Sequence, residues 1–362
     1  MRPTSRFDDD ESGLQRAKSA DSHEGRDAAA PLLFDAGPGD DALARDAKEK
    51  FEAVAKAQVL TWLDDNAKEA AKQVDAYCKA TKAFAGQQDK VPRARDAALF
   101  MAGRSDWEEG RLGLLHLPDA VSERLRNPLA WRRLGPDVYA GLDFGWMKEL
   151  LQFDHWSIVT ASPLRDVGAA RTYADAPLPN FVTLQSWARL RLLKGLHEND
   201  LAQASVEVRH LAQLVGTTGS LIGDMIRISM LGIERGFLEE HQLTLAPAMT
   251  ADEAFRLRHA NFAAKDFLLP GVDRAVREKA MKCMPNRCTA LTESIGSTAM
   301  VRDLVPQAGE HLSWLLEQPQ CDPALSQLAS RFKPMSAPEV LDGLSANPLE
   351  ESMRALLDAG TP

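Results

Sequence analysis

Cysteine is scarce in this chain of 362 residues, which contains four: Cys78, Cys283, Cys288 and Cys321. Small secreted domains that depend on disulfides are much richer in cysteine, so a dense disulfide framework is not the basis of this fold. We therefore expect reduced thiols in a cytoplasmic protein.

Long hydrophobic runs are also missing. No stretch of 18 apolar residues occurs, and the first residues, MRPTSRFDDDESG, lack the apolar segment of a secretory signal. The net charge is −9, from 43 basic and 52 acidic side chains. Such a balance disfavours broad binding to nucleic acid or to anionic membranes, which requires concentrated positive charge. The sequence thus predicts a cytoplasmic protein that binds neither nucleic acid nor membrane.

The motifs of common enzyme classes are absent as well. The string GSLIG at residues 219–223 is not the G-x-S-x-G elbow of hydrolases, and no phosphate-binding loop, dinucleotide fingerprint or H-E-x-x-H occurs. Cys283, Cys288, His311 and Cys321 supply atoms that zinc accepts. The spacing of the first two cysteines is at the edge of known zinc patterns, and the later spacings fit none. We therefore predict no catalytic residue, no cofactor and no metal.

Amphipathic helices dominate what is present, and the central three are the clearest. Apolar residues recur there at spacings of three and four, which predicts one buried face per helix. The three segments cover residues 181–199, 200–215 and 220–242. Asp200 is expected to cap the second helix with its carboxylate, and Gly216 to end it in the left-handed conformation. On the third helix, Asp224 and Arg227 are expected to form an ion pair.

The segment from Gln185 to Thr218 resembles a tetratricopeptide (TPR) repeat. It contains a helix, the turn NDLAQA at residues 199–204, which is similar to the family's G-D-x-x-x-A, and a second helix, over about 34 residues. The sequence departs from the family pattern at Leu192, where a small residue is usual, and at Gly216, where proline is usual. The resemblance implies a right-handed stack of helix pairs with a concave face that binds a partner.

The flanking regions complete the domain prediction. Residues 1–40 are polar and show no periodicity, so we expect a disordered acidic tail. Residues 41–90 are predicted as a long helix, or as a helical hairpin divided at residues 64–66. Residues 91–362 are predicted to form an α-helical body with the TPR-like core at 181–242.

Capping signals and the lack of strands support one fold class. The pairs Thr250 with Glu253 and Ser336 with Glu339 predict capped helix starts. No segment alternates with a period of two for more than a few residues, as strands would. We predict an all-α fold, an irregular array of helical hairpins.

Aromatic residues make up only 6% of the chain, yet six of them fall between residues 131 and 156. Trp and Tyr combine a large apolar body with a polar group, which is typical of half-buried interface positions. The residues predicted to contact a partner are Trp131, Trp146, Asp154, His155 and Trp156. Alternatively, these rings fasten a short helix within residues 142–156 to the core at 181–242. Neighbours on a helix point in different directions, so we expect no contact between Asp154 and His155.

The function favoured by these patterns is a cytoplasmic helical scaffold or adaptor that binds a protein partner. One alternative is a small-molecule-binding or enzymatic helical domain with its pocket at the aromatic patch of residues 131–187. Another is a protein that neutralises a toxin or a protease. The absence of catalytic motifs favours a binding protein over an enzyme, and the oligomeric state stays open.

Overall fold

A computed structural model of the chain describes residues 40–106, 112–127, 130–160, 178–344 and 348–358. Fourteen α-helices and three short 3-10 helices occupy these ranges, which contain no β-strand. The predicted all-α fold is confirmed. No helix in the described ranges has the length and apolar character needed to cross a membrane. The tail predicted at residues 1–40 lies outside the described residues, apart from its last residue.

The helices are joined by loops and differ widely in length. They are α1 (Asp40–Thr81), α2 (Ala98–Ala102), α3 (Asp119–Arg126), α4 (Gly145–Leu150), α5 (Phe181–His197), α6 (Leu201–Gly216), α7 (Leu221–Glu240), α8 (Ala251–Asp266), α9 (Arg274–Cys283), α10 (Arg287–Val301), α11 (Ala308–Glu317), α12 (Pro323–Ser330), α13 (Ala337–Gly343) and α14 (Pro348–Asp358). The described residues divide between two units, with the boundary between Ala47 and Lys48. Helices α2–α14 belong to the second unit, together with α1 from Lys48 onward.

Helix α1 is continuous, and the division considered at residues 64–66 does not occur. Its buried residues recur every three or four positions and form one stripe: Ala55, Val59, Leu63, Asn66, Ala70, Val74, Tyr77 and Thr81. Asp64 and Asp65 lie on the solvent side, where both pair with Lys68. Tyr77 fixes the stripe to α8 because its hydroxyl donates a hydrogen bond of 3.2 Å to the Ala260 carbonyl.

Helices α5, α6 and α7 pack on one another and form the centre of the second unit. Their ends differ from the predicted ones by at most two residues. The first two helices approach closely at Gly195, where a Cβ atom would lie 2.6 Å from the Cβ of Ala204. Only glycine allows α5 and α6 to come this close, so packing explains the glycine inside α5.

The predicted cap at Asp200 is wrong. Its carboxylate accepts a hydrogen bond of 2.8 Å from Arg191 Nη2 instead of capping α6. Arg191 is buried and also donates through Nε to Glu207 at 2.7 Å. A buried guanidinium needs acceptors from the protein, and this requirement outweighs the local cap.

The predicted left-handed residue at Gly216 is also wrong. Gly216 is the last residue of α6, and the positive φ of +75° belongs to Gly219, in the loop to α7. A Cβ at Gly216 would lie 2.3 Å from Arg227 Cδ, so this glycine makes room for a side chain of α7. Ser220 caps α7 by accepting from the Gly223 N–H.

Both predicted capping boxes are confirmed. At the start of α8, Thr250 accepts from the Glu253 N–H while the Glu253 carboxylate accepts from the Thr250 N–H. Ser336 and Glu339 form the same arrangement at the start of α13.

The expectation of reduced thiols is contradicted by two disulfides. Cys78, near the end of α1, is bonded to Cys283 at the end of α9, across 205 residues. Cys288, near the start of α10, is bonded to Cys321, just before α12. Pairing over such separations depends on the tertiary fold, so it could not be derived from cysteine spacing.

Candidate functional site

A cavity of about 330 Å³ lies between α1, the end of α8, the second half of α10 and α13. Its lining is mainly apolar and includes Val59, Trp62, Leu63, Leu269, Met300 and Val340. The polar residues at its wall are Lys265, Asp266, Ser297 and Glu339. A volume of this size lies at the lower end of the range for small-molecule sites, about 300–1,000 Å³.

The buried stripe of α1 forms one wall of the cavity. Val59 and Leu63 lie on this stripe, and Trp62 lies beside it, half-buried. The stripe continues along α1 to Tyr77, which hydrogen-bonds to Ala260 of α8. The packing of the whole helix therefore sets the position of this wall.

Helix α13 forms the opposite wall and is only seven residues long. It is held in place at its start by the Ser336–Glu339 capping box. Just before it, the Met335 N–H donates a hydrogen bond of 2.9 Å to the Met300 carbonyl at the end of α10. The wall is therefore fastened at its N-terminal end.

The polar feature of the cavity is the pair Lys265 and Asp266. These residues interrupt the otherwise apolar string AAKDFLL at the end of α8. Asp266 is only 1% exposed, and its Oδ1 accepts a hydrogen bond of 2.9 Å from Lys265 Nζ. No group in the described part of the chain donates a hydrogen bond to the other oxygen, Oδ2. A buried carboxylate thus retains one free acceptor at the wall of an apolar cavity.

The electrostatic surroundings of Asp266 strengthen this acceptor. Burial raises the pKa of Asp266, and the charge and hydrogen bond of Lys265 offset the effect only in part. Asp266 is also the last residue of α8, where the carbonyl ends of the helix disfavour negative charge. A hydrogen-bond donor placed against Oδ2 would therefore stabilise the carboxylate.

The arrangement is suited to recognition of a ligand. Its apolar walls match an apolar body, and Asp266, one of the lining residues, has an acceptor oxygen without a donor. The lining contains neither histidine nor cysteine.

A possible metal site lies elsewhere. Asp89, Cys288 and Cys321 bring a carboxylate oxygen and two sulfurs within 4.8 Å of one another. The two sulfurs are bonded to each other, so they do not present thiolates to a metal. The zinc-compatible set noted in the sequence is not assembled, because Cys283 is bonded to Cys78 and His311 hydrogen-bonds to the Leu268 carbonyl.

The three tryptophans predicted to contact a partner lie in the core. Each is at most 5% exposed. Their ring contacts are Trp131 with Phe237, Trp146 with Trp187 and Trp156 with Phe181, at centroid distances of 5.3, 5.6 and 5.9 Å. These rings leave no surface for a partner, and their neighbours belong to α5 and α7. The placement fits the alternative in which the aromatic residues fasten their segment to the core at 181–242.

Asp154 and His155 do touch, against expectation. Helix α4 ends at Leu150, and the two residues lie in an extended segment whose backbone pairs with residues 95–97. In this conformation His155 Nδ1 lies 3.0 Å from Asp154 Oδ1. The prediction assumed helical directions for the side chains, and the extended backbone removes that restriction.

The carboxylate of Asp154 is well supplied with donors. Burial alone would raise its pKa, but hydrogen bonds from the Arg95 N–H and from His155 lower the pKa below its ordinary value. His155 Nε2 also faces Asp96 Oδ2 at 3.7 Å. None of these three side chains lines the cavity at Asp266. The structure therefore brings Asp154, His155 and Trp156 together but separates them from the cavity.

Sequence reasoning missed Lys265 and Asp266. The available signal was a charged pair inside the apolar run of residues 263–269, because charged side chains within such a run are buried or face a polar partner. The cavity itself is formed by four helices that are far apart in sequence, so no local pattern could reveal it.

Comparison of the chain with protein-family models, with curated proteins and with solved structures found no match. The resemblance of residues 185–218 to a TPR repeat therefore stays a prediction. Any function assigned to the chain has to rest on the geometry of its own residues.

Proposed function

We propose that this protein binds a small molecule with an apolar body and one hydrogen-bond donor, in the cavity at Asp266. The observation that carries the proposal is the buried Asp266 Oδ2, which no described group satisfies. A buried polar atom without a partner costs about 1–3 kcal/mol. A hydroxyl or amine on the ligand would remove this penalty while its apolar part covers the walls.

The position of the charges also defines which ligands are excluded. Lys265 Nζ is already engaged by Asp266 Oδ1, so the pair offers an acceptor and no free cation. Carboxylates and phosphates would face the Asp266 oxygen and be repelled. Neutral alcohols and amines therefore fit better than anions.

Methionine methyl groups provide a direct test, because Met300 and Met335 line the cavity. With methyl-labelled methionine, NMR spectra are recorded against a panel of small apolar alcohols and amines and against the matching hydrocarbons. We expect the resonances of Met300 and Met335 to shift with the donor-bearing compounds, and that of Met230, which is buried in α7, to stay.

The variant Asp266→Leu removes the acceptor and Asp266→Asn retains an acceptor oxygen without the charge. We expect Asp266→Leu to weaken binding of the alcohols about tenfold or more, from the loss of about 1.5 kcal/mol. Equal binding of alcohols and hydrocarbons, or unchanged affinity in Asp266→Leu, would contradict the proposal.

Protein binding is the second candidate function, and an exposed leucine patch favours it. Leu99, Leu112 and Leu114 are 80%, 67% and 79% exposed. The backbone brings their segments together, because the Leu114 N–H donates to the Gly103 carbonyl, four residues after Leu99. Clustered exposed leucines are unusual on a surface that meets only water. This patch, with the TPR-like hairpin of α5 and α6, supports an adaptor.

Affinity purification from the native cell tests the adaptor function. We expect the double variant Leu99→Ser, Leu114→Ser to lose a protein that the unaltered chain retains. The control is Leu316→Ser, at a partly exposed leucine of α11 remote in sequence from the patch. If both variants retain the same proteins, the leucine patch is not the binding surface.

We further propose that the protein works in an oxidising compartment. The two disulfides support this location because cytosolic reductants keep thiols reduced. Mass spectrometry of the protein trapped with an alkylating agent in its native cell would show both bonds intact. Four alkylated cysteines would instead favour the cytoplasm that the sequence predicts.

A further inference from the structure

The Cys288–Cys321 disulfide lies between two helix N-termini. Cys288 is the second residue of α10, and Cys321 directly precedes Asp322, the N-cap of α12. Helices α10 and α12 pack on each other. The start of a helix carries a partial positive charge, which favours a thiolate over a thiol, so this end of α10 would stabilise Cys288 in its ionised form.

A guanidinium adds to this effect. Arg93 Nη2 lies 3.8 Å from Cys288 Sγ, and Nη1 lies 3.5 Å from the Cys321 carbonyl oxygen. Burial lowers the pKa of Arg93, while Asp322 and Asp89 act in the opposite direction. A positive charge next to the sulfur lowers the pKa of a thiol.

Asp89 places a proton carrier beside the same sulfur. Its Oδ1 lies 2.9 Å from Cys288 Sγ and 4.0 Å from Cys321 Sγ. Burial raises the pKa of Asp89, which Arg287, Arg93 and the Cys288 N–H lower only in part. A carboxyl group whose ionised form is disfavoured takes up a proton more readily, and in its protonated form it can share that proton with a neighbouring thiolate.

The other disulfide has the opposite surroundings. Cys283 is the last residue of α9, and Cys78 lies in the last turn of α1. The polar atom that both sulfurs approach is the Lys279 carbonyl oxygen, at 3.3 Å from Cys283 and 3.8 Å from Cys78. Carbonyl ends of helices disfavour a thiolate, so this bond is the harder of the two to open.

We propose that the Cys288–Cys321 disulfide oxidises dithiols by thiol–disulfide exchange. A substrate thiolate attacks Cys321 Sγ, which is half-buried, whereas Cys288 is 3% exposed. The bond between the two protein sulfurs breaks, and Cys288 leaves as the thiolate that α10 and Arg93 stabilise. A thiol of lower pKa leaves faster, which sets this direction of attack.

The second half of the reaction completes the balance of atoms and electrons. The second substrate thiol, as its thiolate, attacks the substrate sulfur of the mixed disulfide and releases Cys321. The substrate loses two electrons and two protons and becomes a disulfide. The protein disulfide gains the two electrons; Cys321 takes up one proton, and Cys288 shares the other with Asp89.

The order in which the two disulfides open is the first test. The full chain is treated with dithiothreitol at pH 7, trapped at intervals with an alkylating agent and mapped by mass spectrometry. We expect Cys288–Cys321 to open about tenfold faster than Cys78–Cys283, because its leaving thiol is the better stabilised. Equal rates, or earlier opening of Cys78–Cys283, would overturn the proposal.

The pH dependence of Cys288 alkylation in the reduced chain is the second test. The charged groups around its sulfur are Asp89, Arg93 and Arg287, with Asp322 acting on Arg93. We expect a midpoint below the ordinary thiol value of about 8.5, raised by Arg93→Gln. Lys279→Gln, which alters a charge near the other disulfide, should leave the midpoint unchanged. A wild-type midpoint of about 8.5 or above, or the same midpoint in Arg93→Gln as in the wild type, contradicts the mechanism.

The third test measures activity on a peptide that contains two cysteines. We expect one molecule of the wild-type protein to oxidise one molecule of peptide, because one disulfide accepts two electrons. The variant with Cys78→Ser and Cys283→Ser should retain this activity. The variant with Cys288→Ser and Cys321→Ser should lose it while keeping its helical circular dichroism. Oxidation of the peptide by the latter variant, or none by the wild type, rejects the proposal. If either double variant does not fold, the alkylation profile of Arg93→Gln decides.

Discussion

Two aspartates, Asp224 and Asp266, are buried to the same degree but have different roles. Asp224 lies in the first turn of α7, where the helix favours negative charge, and accepts a hydrogen bond of 2.9 Å from Asn286. Its other oxygen faces Arg227 Nε at 3.6 Å. Asp266 ends α8, where the helix disfavours the charge, and its Oδ2 has no hydrogen-bond donor among the described residues.

The difference lies in the charged partner of each carboxylate and not in burial or in the number of hydrogen bonds, because Asp224 Oδ1 also has no hydrogen-bond donor among the described residues. Both carboxylates are almost completely buried, and burial raises the pKa of each. Asp224 links α7 to the start of α10 through Asn286, so it is part of the structure that holds the helices together. Asp266 is paired through Oδ1 with Lys265, which is about one-third exposed, and a ligand that donates to Oδ2 would supply the missing hydrogen bond.

The largest expected effect is the loss of Asp224. We expect Asp224→Leu to lower the free energy of unfolding by about 3–5 kcal/mol, because it leaves Arg227 as a buried, unpaired charge. Chemical denaturation measures this value. A control at an exposed ion pair, Asp64→Ala, should change it by less than about 0.5 kcal/mol. Similar values for the two variants would remove the structural role assigned to Asp224.

The pH dependence of stability gives the next largest effect. Burial raises the pKa of Asp224 to about 6 in the folded state, despite Arg227, from an ordinary value of about 3.9. Between these two values the folded chain keeps a proton that the unfolded chain has lost. The free energy of unfolding therefore falls as the pH rises from about 4 to about 6, by roughly 3 kcal/mol. Above about pH 6 this contribution stays constant.

Denaturation curves recorded at several pH values, for the wild type and for Asp224→Asn, check this sign. The asparagine cannot ionise, so the variant should lack the part of the slope that Asp224 supplies. The contradicting result has two parts: the free energy of unfolding of the wild type increases between about pH 4 and about pH 6, and its slope against pH is the same in Asp224→Asn. This result would show that the Asp224 carboxyl ionises as freely in the folded chain as in the unfolded one.

The helices could be predicted from local pattern, and the sites could not. The ends of α5–α7 and the two capping boxes depend on residues within a few positions of one another, so the sequence contains the necessary information. Asp200 failed as a cap because Arg191, nine residues away, requires its carboxylate. The cavity, the cysteine pairs and the contact of Asp154 with His155 all depend on tertiary packing or on a loop conformation that periodicity does not specify.

Asp266→Leu should separate stability from binding. Lys265 is about one-third exposed and can reach water when its partner is lost, so no buried charge is left behind. Replacing an incompletely satisfied carboxylate by an apolar side chain is neutral or stabilising, here by up to about 2 kcal/mol. We expect an unchanged or higher free energy of unfolding in the denaturation assay, together with weaker ligand binding. A loss of stability as large as that of Asp224→Leu would mean that Asp266, like Asp224, holds the helices together.

The smallest expected effect concerns the wall of the cavity that faces α1. Gly343 ends α13, and a Cβ added there would meet no atom within 4 Å. Gly343→Ala should raise the free energy of unfolding by about 0.5 kcal/mol, because alanine restricts the unfolded chain. Gly309→Ala, in α11, is a matched control with equally open space. Both should stabilise the fold alike, but only Gly343→Ala should slow ligand exchange, measured by NMR line shapes of Met335. Equal exchange rates in the two variants would mean that stiffening α13 has no effect on ligand exchange.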